Sequence, residues 1–585
     1  MAIILGINTH HAGSSAALVI DGIPVAAIGE ERLNRIKYYA GFPSLSILKV
    51  LEIGNVTFKD IDYVAIGRDA SANVTKKLEY VLRNPSKLLN LLKIRGAREA
   101  LGDLKTLFVE DCGANPNDLR FEQVNVEHHL AHIASAYFIS PWDYAAGFSV
   151  DGSGDFVTCM LTECVGQEIK VKQRVYVPQS LGSLYTMVCQ FIGYGKYGDE
   201  GKVMGLAPYG KPAYTAIFKD IIALTEDAFE LNPKYFLPFG SNQGVEMNDK
   251  GEMTLLRHYS DHMVDVFGKP RDPSTEITQR DMDLAYSLQA RFEEVYMHML
   301  NVLYKQVPTE RIVMAGGVVL NSVANGKMFE QTPFRETCIQ PAAGDEGLSL
   351  GAALYVSQSV LHEKQRYVMS NAFLGPEYSV DEMRATLEAA KVEYRELSRE
   401  DLLVATSSEI EQGNIIGWFQ GRMEWGPRAL GNRSILAHPG RADMKDILNA
   451  RIKRREWFRP FAPVVLAERQ DEIFEYHHSS PYMLHVYKIR AEWRERLTTV
   501  RHVDDTGRLQ SVSRDENPLY YDLVKTFGDR TGIPVLINTS FNENEPIICN
   551  PVEAVDCYLR TKMDVLVLGN FFCKKSPAPE ALNLS

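Results

Sequence analysis

The stretch that decides the fold is Ala145-Ala146-Gly147-Phe148-Ser149-Val150-Asp151-Gly152-Ser153-Gly154-Asp155. The apolar run from Ala145 to Val150 predicts a buried strand, and the glycine-rich run from Asp151 to Asp155 predicts the tight turn that ends it. Residues 156–162 and 169–177 follow as two further strands. We therefore expect a strand, a glycine turn and a hairpin in this order.

The N-terminal region has the same plan. Residues 3–8 form an apolar run, and a polar turn leads to a second run over residues 16–20. Asp21-Gly22 joins this run to a third, over residues 23–28, and Asp-Gly between two apolar runs is a strong hairpin signal. A plan that occurs twice indicates two related subdomains.

The rest of the chain divides into a helix-rich part and a different C-terminal part. Helices are predicted over residues 73–110, 127–139, 282–304 and 348–356, with a buried strand over residues 311–315. Residues 357–372 have the polar composition of a linker. Domains are therefore predicted over residues 1–365 and 373–585, the second with short strands at residues 415–419, 462–466, 534–537 and 565–568.

Composition narrows the class of protein. A chain of 585 residues is too long to fold around a single hydrophobic core, so two or more domains are expected. Its content of 45% hydrophobic and 24% charged residues is ordinary for a globular protein. A net charge of −12 excludes an overall attraction to nucleic acid or anionic lipid. Eight cysteines without a C-x-x-C pair favour a reducing cytoplasm over a zinc ribbon or disulfide framework. Residues 1–6 have no basic n-region, so we expect a strand there rather than a signal peptide. No apolar run reaches the ~20 residues of a membrane helix.

Two histidines indicate a metal site. His128 and His132 are spaced i, i+4, so on a helix they share one face, while His129 points elsewhere. Asp151 and Asp345 are the best carboxylates to complete the shell, and two histidines with two aspartates suit iron, manganese or zinc better than calcium. The alternative is a solvated or hydrogen-bonded helix face.

Two glycine turns indicate a phosphate site. Asp151 to Asp155 and Gly316-Gly317 each follow a predicted strand, where free backbone N–H groups can hold phosphate oxygens. An ordinary turn is the alternative for the first of them. A P-loop is excluded because G-x-x-x-x-G-K-[ST] does not occur.

A basic tract runs from Arg422 to Arg459. It has three interpretations: a solvated face, a nucleic-acid patch or a buried phosphate pocket. The pocket is preferred because Arg428 lies beside Pro427 and Arg459 directly precedes an apolar run. The later run from Asn538 to Asn542 is interpreted as a helix cap or a ligand site.

These motifs, in this order, resemble the ATP-dependent O-carbamoyltransferases of the NodU/CmcH type. The resemblance spans nearly the whole chain and is specific as a combination. It is carried by residues 128–132, 150–155, 200–210, 316–321, 425–434, 459–464 and 538–542.

The resemblance implies an α/β fold with two domains. The N-terminal one would be of the ASKHA type, duplicated and actin-like or ribonuclease H-like, and the C-terminal one a YrdC-like α+β domain. Carbamoyl phosphate would be hydrolysed and condensed with ATP to carbamoyl-adenylate, whose carbamoyl group would pass to a hydroxyl of a natural product or sugar, as in antibiotic biosynthesis. The implied partners are carbamoyl phosphate, ATP with Mg²⁺ and a small hydroxyl acceptor, with a homodimer as an option and without membrane or nucleic acid.

The resemblance also implies roles for individual residues. Metal ligands, with iron ahead of manganese or zinc, would be His128, His132, Asp151 and Asp345. The nucleotide would be held by Lys37, Gly152, Ser153, Gly154, Asp155, Gly316, Gly317 and Asn321, with Lys37 also catalytic. Carbamoyl phosphate would be held by Arg428, Lys453, Arg459, Met483, Arg508 and Ser540.

One stretch departs from the family pattern. His10-His11-Ala12-Gly13-Ser14-Ser15 has two histidines and no acid. His11 is the expected base for the acceptor hydroxyl and His10 is its rival. One alternative function is that of an ASKHA-type tRNA-modifying or nucleic-acid-binding protein. Another is that of a hydrogenase-maturation carbamoyltransferase. The sequence argues against this second alternative because it shows neither cysteine-pair zinc fingers nor the expected N-terminal extension.

Overall fold

The structure is a computed structural model that describes residues 2–83, 104–238, 245–248 and 250–575. It divides into two compact units. The first comprises residues 1–369, 425–427 and 484–486, and the second residues 370–424, 428–483 and 487–585. Residues 84–103 of the helical stretch predicted over 73–110 lie outside the described residues.

Strands of the first unit alternate with helices. In chain order the strands are β1 (Ile3–Asn8), β2 (Ser15–Ile20), β3 (Ile23–Gly29), β4 (Tyr63–Ile66), β5 (Glu122–Asn125), β6 (Tyr144–Gly154), β7 (Val157–Val165), β8 (Glu168–Tyr176), β9 (Ile222–Leu224), β10 (Phe229–Leu231), β11 (Val245–Met247), β12 (Met253–Leu255), β13 (Arg311–Ala315) and β14 (Glu336–Ile339).

The two main sheets of this unit have the same topology. One has the strand order β3-β2-β1-β4-β5 and the other β8-β7-β6-β13-β14. In each, the first three strands along the chain pair antiparallel and the last two add in parallel. The predicted repeat is confirmed, and a duplicated α/β unit of this kind is the expected ASKHA-type fold.

The predicted turn over residues 151–155 lies elsewhere. Strand β6 continues to Gly154, which pairs with Val157 across an irregularity after Val150. The turn is formed by Asp155 and Phe156, whose φ angles are both positive, 48° and 75°. Such a two-residue turn fits the twist of the flanking strands. Gly152 and Gly154 therefore belong to strand β6, and the prediction that the turn begins at Asp151 was wrong.

The described helices of the first unit surround these sheets. They are α1 (Glu31–Asn34), α2 (Ser44–Gly54), α3 (Val74–Arg83), α4 (Leu104–Cys112), α5 (His128–Tyr137), α6 (Leu181–Phe191), α7 (Glu200–Leu206), α8 (Thr215–Ile221), α9 (Asp261–Phe267), α10 (Gln279–Gln306), α11 (Ser322–Gln331) and α12 (Leu348–Tyr355).

Helices α5 and α12 pack closely, and this contact positions the site. A Cβ atom on Gly351 would lie 1.9 Å from the carbonyl oxygen of Ala131, so only glycine permits the approach. Helix α5 begins at His128, and α12 directly follows the 3-10 turn that begins at Asp345. The glycine therefore brings two chain segments together that lie about two hundred residues apart.

The second unit is built on one mixed sheet. Its strands are β15 (Arg395–Glu396), β16 (Ile416–Phe419), β17 (Arg433–Ala437), β18 (Ala462–Leu466), β19 (His485–Lys488), β20 (Thr506–Val512), β21 (Val535–Ser540), β22 (Val565–Leu568) and β23 (Phe571–Lys574), in the order β15-β23-β22-β16-β17-β21-β18-β20-β19. Of β19, only residues 487 and 488 belong to this unit. Its helices are α13 (Val380–Ala389), α14 (Arg399–Glu411), α15 (Met444–Leu448), α16 (Gln470–Ile473), α17 (Pro518–Thr531) and α18 (Pro551–Arg560).

The core of this unit explains the predicted short strands. Strands β16, β18 and β22 consist entirely of buried residues, which is why they read as continuous apolar runs. Side chains of α14 and α17, including Leu402 and Phe527, complete the core against Trp418. The architecture agrees with the expected α+β domain. In the described residues of either unit, no helix is both long and apolar enough to cross a membrane.

Candidate active site

Four side chains of the first unit converge on one point. His128, His132, Asp151 and Asp345 each offer a ligand atom, and these atoms all lie within 4.8 Å of one another. The two Nε2 atoms are 3.1 Å apart. The His132 Nε2 lies 3.0 Å from Asp151 Oδ2 and 3.4 Å from Asp345 Oδ1.

The donor set fits a divalent ion. Ligand atoms held at about 2.0–2.1 Å around a tetrahedral ion are about 3.3 Å from one another, close to the separations here. Two imidazole nitrogens facing each other can share at most one proton, whereas both can donate lone pairs to one cation. Two imidazoles and two carboxylates are the ligands that iron, manganese and zinc accept.

Electrostatics agree with a site that attracts positive charge. Burial would lower the pKa of His132, but hydrogen bonds to Asp151 and Asp345 outweigh it and raise the pKa to about 9. Burial would likewise raise the pKa of Asp151, yet the two histidines hold it well below its ordinary value. A cation other than a proton can satisfy the same carboxylates.

His129 has a different environment from its neighbours. Its Nδ1 lies 2.7 Å from Ser149 Oγ and its Nε2 lies 3.0 Å from the carbonyl oxygen of Val157. Burial and the two neighbouring histidines lower the pKa of His129 well below its ordinary value. It is a neutral, hydrogen-bonded core histidine beside the cluster.

His11 adjoins the cluster through Asp345. Its Nδ1 lies 2.6 Å from Asp345 Oδ2, whereas Asp345 Oδ1 faces His128 and His132. Burial would lower the pKa of His11, but Asp345 outweighs this effect and raises it. One carboxylate thus connects the expected base to the expected ligand set, a relation that orients histidines at many metal sites.

The rival base lies in another position. His10 has a positive φ of 52°, and its Nδ1 lies 2.9 Å from the hydroxyl of Thr9. Burial, followed by the charge of Arg68, lowers the pKa of His10. Within the described residues its ring contacts Thr9 and not the carboxylates of the cluster.

The expected nucleotide residues surround the same cluster. Gly317 donates its N–H to Asp151 Oδ2 at 3.2 Å, and Gly316 has φ +103°, a conformation that requires glycine. A Cβ on Gly154 would overlap the ring of His128, at 2.0 Å from its Cγ. Gly152 and Ser153 lie in the same stretch of β6.

Three other expected nucleotide residues have contacts of their own. Asp155 Oδ2 accepts the backbone N–H groups of Asp69 and His128, at 2.8 and 2.9 Å. Asn321 caps α11 and its amide donates to Gln289 Oε1 at 3.0 Å. Lys37 lies exposed in the turn after α1. Their roles toward a nucleotide stay predictions.

The second unit contains a cluster of cations. Burial, followed by the charges of Arg428, Arg455 and Arg459, lowers the pKa of Arg508 well below its ordinary value. Burial and then Arg459 lower the pKa of Arg455 to about 9. Guanidinium groups gathered in this way repel one another and favour an anion among them.

Lys453 and Ser540 lie at the same cluster. The buried Lys453 Nζ donates to the Ser540 carbonyl oxygen at 2.5 Å and to Asn542 Oδ1 at 2.8 Å. Burial, then Arg455, lowers the pKa of Lys453 well below its ordinary value. Met483 is buried against Leu430 and Ala462. All six expected carbamoyl phosphate residues thus belong to the second unit.

The basic tract is not one solvated surface in the described chain. Arg433 is fully buried and donates to the carbonyl oxygen of Gln420 at 2.6 Å. Among its exposed arginines, Arg441 lies 2.8 Å from Asp443 and Arg454 lies 3.1 Å from Glu543. Paired and buried side chains do not favour the nucleic-acid interpretation.

Sequence reasoning missed three residues of these clusters. Arg455 lies in the basic tract and Asn542 in the run from Asn538 to Asn542, but neither is given a role of its own by the sequence. Lys445, whose pKa is lowered by burial and by Arg455, gave no signal at all. Each is identified by a neighbour distant in sequence or by burial.

Comparison with known proteins identifies the family. Residues 3–354 match the model of the carbamoyltransferase N-terminus and residues 407–575 that of the carbamoyltransferase C-terminus. An uncharacterized protein of Synechocystis sp. is 38% identical over 99% of this chain and 98% of its own length. Nodulation protein NolNO of Sinorhizobium fredii is 38% identical over 98% of this chain and 80% of its own.

These matches, with the fold and the clusters above, define a group-transfer enzyme. The chain belongs to the carbamoyltransferase family, and the resemblance found in the sequence is confirmed. Among solved structures, HypF of T. kodakarensis aligns with a TM-score of 0.30 and 13% identity, over 62% of this chain and 48% of that one, a match too loose to add to the topology.

Proposed function

We propose that this protein is an ATP-dependent O-carbamoyltransferase. It would hydrolyse carbamoyl phosphate to carbamate and phosphate, and condense the carbamate with ATP to carbamoyl-adenylate and pyrophosphate. The carbamoyl group would then be transferred to a hydroxyl of a natural product or sugar. The observation that carries the proposal is that the two carboxylate oxygens of Asp345 face different histidines. Its Oδ2 lies 2.6 Å from His11 Nδ1, and its Oδ1 lies 3.4 Å from His132 Nε2. A base and a metal ligand set joined in this way suit attack on an activated acyl phosphate.

The cation cluster of the second unit is the proposed carbamoyl phosphate site. Arg428, Arg459 and Arg508 would bind phosphoryl oxygens, since guanidinium forks match them in geometry and charge. Lys453 is fixed by its hydrogen bonds to Ser540 and Asn542, so it would hold the Ser540 side of this site in place. The product phosphate would leave from the same site.

The His–Asp cluster of the first unit is the proposed metal site. His128, His132, Asp151 and Asp345 would hold the ion, with iron proposed and manganese or zinc as alternatives. A divalent ion there would act as a Lewis acid toward phosphate oxygens of the nucleotide. The Gly316-Gly317 turn and the glycines of β6 would line the nucleotide, since residues without side chains let its phosphates approach the backbone. Lys37 would reach the adenylate.

Transfer requires a base at the acceptor hydroxyl. Because Asp345 faces Nδ1 of His11, the Nε2 of that ring would take the hydroxyl proton. The hydroxyl oxygen would form a bond to the carbamoyl carbon while the bond from that carbon to the adenylate oxygen breaks, and AMP would leave with its charge. Asp345 would stabilise the resulting imidazolium.

The compartment and acceptor complete the proposal. None of the eight cysteines forms a disulfide, which fits the reducing cytoplasm. A small diffusible acceptor fits a chain with a net charge of −12 better than a polyanion does.

The test is the set of products. Incubation with ATP, carbamoyl phosphate and a panel of sugar and aminoglycoside alcohols should release AMP and pyrophosphate in step with acceptor carbamoylation. Release of ADP without a carbamoylated product would point to a kinase and overturn the proposal.

A further inference from the structure

A half-buried arginine at the carboxyl edge of the first sheet has no assigned role. Arg68 follows β4, which pairs in parallel with β1 so that Ile66 lies opposite Ile7. Its side chain and the histidines that follow β1 therefore leave the sheet at the same edge. A Cβ on Gly67 would lie 2.7 Å from Leu348 Cβ, so this strand end also packs beside the start of α12.

The charge of Arg68 acts on the candidate site. After burial, it is the next cause that lowers the pKa of His10, and it also opposes protonation of His11. It acts on Asp155 as well, lowering the pKa of a carboxyl that burial raises. The guanidinium group is therefore close enough to His10, His11 and Asp155 for its charge to act on all three.

Arg68 itself lacks a partner in the described part of the chain. It has neither a hydrogen bond nor an ion pair there, and the Asp155 Oδ2 oxygen near it is occupied by two backbone N–H groups. A partly buried guanidinium whose N–H groups have no direct acceptor is unfavourable unless a ligand provides one.

The same carboxylate fixes Arg68 relative to the cluster. Asp155 Oδ2 binds the N–H of Asp69, the residue after Arg68, and the N–H of His128, the first metal-ligand candidate. Asn73 adds a second tie, since its amide donates to the Asp155 carbonyl oxygen at 3.1 Å and to Glu127 Oε1 at 2.9 Å. The arginine is therefore held in a defined position, as a ligand-binding side chain must be.

We infer that Arg68 binds a phosphate oxygen of the nucleotide in the first unit, on the side of the cluster where His11 lies. This inference rests on the proposed function and adds a residue to it. In this position Arg68 would neutralise the phosphoryl group of the adenylate and the charge that AMP carries as it leaves. An anionic group of the acceptor is the other source of the same chemistry.

The experiment compares nucleotide binding by Arg68→Gln, Arg68→Lys and the wild-type full-length protein. AMP, ATP and adenosine are titrated calorimetrically after metal content and thermal unfolding are shown to match. Arg120→Gln is the matched control, because Arg120 is an exposed arginine of the same unit that donates to the Asn117 carbonyl oxygen. For Arg68→Gln we expect at least tenfold weaker binding of AMP and ATP with adenosine unchanged. Arg68→Lys should fall between that variant and wild type.

Other outcomes have distinct meanings. The inference would be overturned if Arg68→Gln bound AMP and ATP as tightly as wild type does. It would also be overturned if the substitution changed only the KM for the acceptor. Equal loss for adenosine would show a structural effect and also overturn it. If Arg68→Gln does not fold, the Arg68→Lys titration decides by the same criteria. A wild-type protein that binds ATP but transfers no carbamoyl group would refute the proposed function and not the arginine's role.

Discussion

Arg455→Met should make the free protein more stable while weakening its binding of phosphate. Burial and Arg459 lower the pKa of Arg455 to about 9. The guanidinium group stays protonated at neutral pH, so this lowering is expressed as lost stability of about 5 kcal/mol, at roughly 1.4 kcal/mol per pH unit. The unfolded chain holds this proton to higher pH. The loss is therefore complete below pH 9 and is relieved only as pH rises further.

Methionine also removes favourable contacts. Arg455 donates to Asn449 Oδ1 at 3.2 Å and to the Pro460 carbonyl oxygen at 3.3 Å, and it stacks on the ring of Phe461 at 4.2 Å. At about 1 kcal/mol for each, these offset about 3 kcal/mol of the gain. The net expectation is an increase in the free energy of unfolding of about 2 kcal/mol.

Thermal unfolding with and without carbamoyl phosphate measures both effects. A ligand at one hundred times its Kd adds about 2.7 kcal/mol to the wild type. Loss of a charge-assisted contact of about 1.5–3 kcal/mol should weaken binding about tenfold to a hundredfold and remove about half or more of that gain. Arg451→Met, an exposed arginine 3.8 Å from Asp564, should change neither quantity by more than about 0.5 kcal/mol. A variant that is less stable without ligand, yet gains as much from it as wild type, would refute the reasoning.

Three further substitutions test the remaining roles. His132→Ala should lose both the bound metal and carbamoyl transfer, while the second unit unfolds as in wild type. The control His262→Ala, on the exposed face of α9, should keep the metal and the transfer activity. A His132→Ala protein that retained metal and full activity would contradict the assignment. Arg459→Ala should raise the carbamoyl phosphate KM at least tenfold, or abolish turnover, with ATP binding intact, and an unchanged KM would contradict its role. His11→Gln should lower the transfer rate by about 10²–10⁴ while pyrophosphate release from ATP continues; equal loss of both steps would argue against a base confined to transfer.

Much of the first unit could be predicted from its periodicity. The apolar runs gave the first three strands of each sheet, and the helix predicted over 282–304 is Gln279–Gln306. Strands β4 and β5 were missed because they are four residues each, and β5 is largely exposed. Short polar strands at the edge of a sheet lack the alternation that identifies longer ones.

The candidate sites were predictable only in part. The pair His128 and His132 is local, so helical spacing alone predicted it. Asp345 was predicted as the second carboxylate of the shell, but local spacing could not place it beside the histidines, because its position depends on the contact between Gly351 and Ala131. Arg68 and Lys445 could not be found from spacing either, because only burial and distant neighbours distinguish them from solvated side chains.

The most direct test of the central claim needs no knowledge of the acceptor. The purified protein is incubated with ATP, radiolabelled pyrophosphate and Mg²⁺, with or without carbamoyl phosphate. Formation of a carbamoyl-adenylate predicts that label enters ATP only when carbamoyl phosphate is present, and that Arg459→Ala abolishes this exchange. The account would be contradicted if label entered ATP without carbamoyl phosphate. It would also be contradicted if an active, metal-loaded protein showed no exchange when carbamoyl phosphate is present.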